Sequence, residues 1–128
     1  MATLQPFAVS CSQDNRNLPS TGISASTAPV PVGKRFVVEH ISGYLVVLKD
    51  FPVDLIVATN GFEQTLYLPT HFESQVLNFG GELGPANQHQ FGSPVTMYVE
   101  AGQNITVHAA ANVAGFVTAT AIGHLVDQ

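Results

Sequence analysis

Val, Ile, Thr, Phe and Tyr recur along this chain in short runs separated by Gly, Pro and Asn. That is the pattern of β-strands joined by turns. PFAVSC, residues 6–11, reads as a first strand. Residues 12–33 are a Ser/Thr/Asn/Pro-rich connection with room for a short edge strand near its end, where Pro29 and Pro31 bar a central ladder position. Lys34 to Leu48 reads as a long strand with a bend at Gly43. Asp54–Thr59 and Phe62–Leu68 form a hairpin around Asn60-Gly61, the preferred pair for a type I′ turn because both positions need positive φ. HFESQVLNF, residues 71–79, is another strand. Residues 80–93, GGELGPANQHQFGS, read as a long polar loop. Strands follow over Pro94–Val99, Ile105–Ala110 and Phe116–Val126, with a turn at residues 101–104. AAANVAG, residues 109–115, is the one place a helix fits, but Gly115 and the β-branched residues after it favour strand.

Eight or nine strands without helix predict an all-β, antiparallel β-sandwich, of jelly-roll type. The chain is 128 residues long, which is one domain's length. Residues 1–33 supply the first strand and the polar connection, and residues 34–128 the main sandwich.

Composition narrows the partners. Apolar residues make up 45% and charged residues only 10%, so the polar surface has to come from Ser, Thr, Asn and Gln. Net charge is -5, and only Lys34-Arg35 pairs two of the four basic residues. Nucleic acid and anionic membrane surfaces are therefore not expected partners. One cysteine, Cys11, excludes an intrachain disulfide and Cys-paired zinc sites. No apolar run approaches the roughly 20 residues of a membrane-spanning helix. The first residues lack the basic and apolar regions of a signal peptide.

Three stretches carry a resemblance. VPVGKRFVVEHIS, residues 30–42, is similar to the "VPAGKRLVIEHVS" opening of small uncharacterised bacterial β-sandwich proteins. SPVTMYVEAGQNITV, residues 93–107, resembles their unit of strand, acidic residue, Gly turn and strand. AIGHLVDQ, residues 121–128, resembles their "ISGYLVD" ending. Those proteins are typically exported, so the resemblance implies an extracellular or cell-surface location. They often carry two cysteines in the first segment, where this chain has Cys11 alone. No settled activity comes with the likeness.

Candidate chemistry starts with Glu39 and His40, adjacent in the most apolar run of the chain. Simple alternation places Phe36, Val38 and His40 on one face and Arg35 and Glu39 on the other. It makes His40 a core imidazole and puts Glu39 beside Arg35. His71 and Glu73, two residues apart on a strand, share a face. They suit a metal with a third ligand from His89, His108 or His124. The chain has no His-x-His, which separates it from the usual cupin metal pattern. His108 and His124 read as outward surface residues.

The most binding-like piece is the polar loop. Asn87, Gln88, His89 and Gln90 offer dense donors and acceptors, and Phe91 adds an apolar plane. Amides beside an aromatic ring suit a neutral, polyhydroxylated ligand. The expectation is a non-enzymatic binding module without cofactor, for a glycan or another surface ligand, in a homo-oligomer. Its rivals are a self-assembling structural subunit of an appendage or phage-like particle, and a cupin-like metalloenzyme on His71 and Glu73.

Overall fold

The computed structural model describes residues 4–14, 20–47, 54–59, 64–76 and 86–128. Eight strands carry it: β1 (Gln5–Asp14), β2 (Ser20–Ser26), β3 (Lys34–Val47), β4 (Asp54–Thr59), β5 (Thr65–Leu68), β6 (His71–Val76), β7 (Ala86–Val99) and β8 (Ile105–Asp127). All pairings are antiparallel.

The expected last two strands are one continuous strand that serves both sheets. The first part of β8 lies between β2 and β4, with Ala109 opposite both Ile23 and Leu55. Its second part lies between β1 and β3, with Ala119 opposite both Cys11 and Gly43. The two sheets are thus β2-β8-β4-β5 and β1-β8-β3-β7, and β6 extends the latter beside the first part of β7. That connectivity is the double Greek key of a jelly roll. The sandwich expectation holds.

In each part of β8 the buried residues are odd-numbered. Ile105, Val107 and Ala109 are buried in one sheet, and Val117, Ala119, Ala121 and Leu125 in the other. They meet a single core cluster drawn from β1 to β5, β7 and β8.

β3 breaks its own alternation. Val38 pairs with Gly123 and His40 with Ile122, so Glu39 is an extra residue, a β-bulge. Phe36 and Val38 are buried before it, while Ile41, Leu45 and Val47 are buried after it. The inward face has changed from even to odd positions. A close backbone approach accompanies the bulge, since a Cβ on Gly123 would fall 1.9 Å from the Val37 carbonyl oxygen. The ring of Phe36 covers this glycine and meets Phe7 edge to face, with centroids 5.0 Å apart.

Three elements of the expected layout move. β2 lies at 20–26, earlier than the prolines, inside the expected connection. The β4–β5 hairpin pairs as expected, but β5 starts at Thr65 rather than Phe62, and Asn60-Gly61 falls outside the described residues. The polar loop is largely strand, because residues 86–93 belong to β7; residues 80–85 lie outside the described residues.

Two substitutions test this packing. A Cβ on Gly43 would sit 2.0 Å from the Thr118 carbonyl oxygen and 2.8 Å from the Phe91 ring. Gly43→Ala should therefore cost about 3 kcal/mol or more in urea unfolding. Gly92→Ala should cost nothing measurable, because its Cβ meets only ordinary contacts at 3.7 Å and 3.8 Å. Equal effects of the two would contradict the described register. Burial pushes the Cys11 thiol up from its ordinary value, leaving it protonated at neutral pH. A disulfide reagent at pH 7.5 should then label Cys11 slowly in the native protein and rapidly in urea; equally fast labelling in both would mean that β1 opens readily.

Candidate functional site

The outer face of the β1-β8-β3-β7-β6 sheet gathers most of the chemistry. One cross-strand row reads His71, Gln90, Tyr44, Thr118, Ser12 across β6, β7, β3, β8 and β1. The next reads Gly92, Ser42, Thr120, Ser10, and a third reads Pro94, His40, Ile122, Ala8. At about 4.8 Å between strands, the first row is about 19 Å long. None of these positions holds Asp, Glu, Lys or Arg. Tyr44 is exposed and stacks on Phe116, with centroids 5.6 Å apart and planes 26° from parallel. Ser10 Oγ and Thr120 Oγ1 share a hydrogen bond of 2.9 Å. Gln90 and His71 are exposed.

Lys34, Arg35, Glu39, Glu100 and Asp127 lie at the opposite end of the sheet, whereas Asp14, opposite Phe116 on β1, is exposed beside the first row. Glu39 does not approach Arg35 as alternation suggested. Its Oε1 lies 2.5 Å from Nδ1 of His124, because the bulge turns Glu39 toward β8. Arg35 Nε instead donates to Glu100 Oε1 at 2.9 Å, and Arg35 Cζ lies 5.8 Å from the Tyr98 ring centroid. Gln128 Nε2 also donates to Glu100, through Oε2 at 2.7 Å. Lys34 pairs with Asp127. These ion pairs are partly exposed and each contributes about 0–1 kcal/mol.

The expected site residues separate. Asn87, Gln88, His89, Gln90 and Phe91 lie on β7 rather than on a loop. Strand alternation sends His89 and Phe91 into the core, where they are buried opposite Leu45 and Gly43. Asn87 and Gln88 are half-buried, and only Gln90 is exposed. His40 is half-buried on the outer face, not a core imidazole, because the bulge precedes it. On β6, Phe72 pairs with His89 and Ser74 with Gln88, which makes Glu73 an extra residue. Alternation therefore no longer assigns His71 and Glu73 a common face. Among the described residues no three His, Cys, Asp or Glu side chains group closely enough to hold a metal ion. His108 and His124 are half-buried and partnered, His108 Nδ1 lying 2.5 Å from Ser24 Oγ.

Tyr44, Phe116 and Thr118 were missed by sequence reasoning. Without the bulge, alternation from Phe36 sends Tyr44 inward. The signal that places it outward is the apolar pair Leu45 and Val47 on either side of Val46, together with the adjacent polar residues Glu39 and His40.

No family model matches the chain, and neither curated proteins nor solved structures give a significant match. Among the described residues no helix is long and apolar enough to cross a membrane.

The two neighbouring positions on β7 should separate in stability. His89→Ala removes a buried ring and is expected to cost about 2–4 kcal/mol, whereas Gln90→Ala should stay within about 0.5 kcal/mol. Thermal melts of both variants decide it. A larger loss for Gln90→Ala would invert the described faces of β7.

Proposed function

We propose that this chain is a binding module whose outer sheet face recognises a neutral, polyhydroxylated ligand of the carbohydrate class. The observation that carries the reading is the row His71, Gln90, Tyr44 and Thr118, with Tyr44 stacked on Phe116. A sugar ring presents a C–H face that packs on an aromatic plane and a rim of hydroxyls that both donate and accept. Tyr44 supplies exposed aromatic surface. The Gln90 amide, the His71 imidazole and the Thr118 hydroxyl supply both kinds of hydrogen-bond partner on the same face. The absence of charged residues in these rows suits a ligand with none. The low charged fraction of the whole chain agrees with that chemistry.

A self-assembling subunit is the second reading. It is favoured by Ile122 and Tyr98, which are 48% and 44% exposed on the other part of the same face.

A broad glycan array, run with and without EDTA, is the deciding experiment. The proposal expects binding that survives EDTA. It also expects Tyr44→Ala and Gln90→Ala each to weaken binding about tenfold or more, equivalent to about 1.4 kcal/mol, at unchanged melting temperature. Binding lost in EDTA would indicate a metal, with His71 and Glu73 the first positions to substitute. Absence of binding to any glycan would overturn the proposal, and the mass in solution would then test the subunit reading.

A further inference from the structure

β7 is paired on only part of one side. β3 runs along it from Asn87 to Val99, whereas β6 covers it only from Ala86 to Gln90. Among the described residues no strand lies against the remaining outer edge, which ends at Tyr98 and Val99. A β-strand edge of this kind is a template for adding another strand.

One side chain occupies that edge. Tyr98 N–H donates to Gln64 Oε1 at 3.0 Å, and Gln64 Nε2 donates to the Tyr98 carbonyl oxygen. The N–H and C=O of one residue point to the same side of a strand. These are therefore the two groups that a hydrogen-bonded antiparallel partner would take. Gln64 stands at the start of β5 in the opposite sheet, so its carboxamide also ties the two sheets together at their open side. Its backbone is itself clamped: Gln64 N–H donates to Thr59 Oγ1 at 3.2 Å, and Thr59 N–H to the Gln64 carbonyl at 3.1 Å. Thr59 is buried, which fixes the clamp. Further along β7, Pro94 has no N–H to offer a partner strand.

We propose that the Gln64 carboxamide is a latch that fills the strand-addition site of β7 and keeps a strand of a second copy of this chain from adding there. The argument is independent of the ligand on the outer face. It rests on the two-point match between a primary amide and a strand backbone, which shows what that edge accepts. A second copy is the occupant that the unlatched edge invites, because every copy carries the same edge and antiparallel association of two such edges is self-complementary.

The test compares the full chain with Gln64→Ala and Gln64→Met, the latter keeping length and packing while removing both hydrogen bonds. Light scattering over a hundredfold concentration range reads the mass, and hydrogen exchange reads the Tyr98 amide. The expected result is Tyr98 exchange at least about tenfold faster in both variants at low concentration, with mass that rises with concentration beyond the parent's. Adding Thr96→Lys, at an exposed position on the same edge, should return the mass to the parent's value. Three results would overturn the proposal: Tyr98 remaining protected in both variants, mass staying at the parent's value, or association that Thr96→Lys does not reduce. If Gln64→Ala fails to fold, Gln64→Met alone carries the same outcomes.

Discussion

The backbone pairing of β8 is the constraint on which the rest of the molecule depends. This strand hydrogen-bonds to β1, β2, β3 and β4, and so belongs to both sheets. In each sheet one set of its side chains must face the core. The sequence provides it, with Ile105, Val107, Ala109, Val117, Ala119, Ala121 and Leu125 all at odd positions. The inward residues become smaller where β3 and β7 bring Phe36, Leu45 and Phe91 over them. Ala119, opposite Gly43, leaves room for the Phe91 ring that lies over that glycine. Fold class was legible for this reason. Turn residues and β-branched runs of period two mark strands locally, and the pairings they permit lead to a sandwich.

What could not be read by simple alternation was the bulge at Glu39. Counting in twos from Phe36 assigns His40 to the core and Tyr44 with it. Counting in twos backward from Val47 assigns Ile41 and Leu45 to the core instead. The two counts disagree by one residue, and the disagreement is localised between Val38 and Ile41. Two adjacent polar residues inside an apolar strand satisfy both counts only if one of them is extra. The physical signal was therefore present in the Glu39-His40 pair. It meant a local change of face rather than a pair of catalytic groups. Its consequences are the outward Tyr44, the approach of Glu39 to His124, and the glycine at position 123.

The second failure of legibility, at residues 86–93, has a different cause. Asn87, Gln88, His89 and Gln90 have weak strand propensity, and Gly92 and Pro94 read as loop punctuation. The segment is nevertheless a strand because β3 pairs along it from Asn87 and β6 pairs with Ala86 to Gln90 on the other side. Tertiary pairing outweighs local preference there. Of the candidate site, Gln90 and His71 were legible as residues, but the face that unites them was not. It is assembled by the register of β6, β7, β3 and β8, which no short window of sequence contains.

Low charge links these features. A sheet protein commonly blunts its edges with Lys and keeps its outer faces soluble with mixed charges. This chain has four basic residues, and three of them, Lys34, Arg35 and Lys49, fall in or just beyond the long strand β3. The outer surface of β8 is instead tied to its neighbours by hydroxyls. Ser10 meets Thr120 and Ser26 meets Thr106, each at 2.9 Å, while Ser24 meets His108. Each such cross-strand pair contributes about 0.2–1 kcal/mol without ionic-strength dependence. An amide at Gln64 does at the β7 edge what a lysine does elsewhere. A surface built this way carries few charges while still offering donors and acceptors. That low charge agrees with the hydroxylated ligand proposed for the outer face, and it leaves edge protection to hydrogen bonds rather than to repulsion.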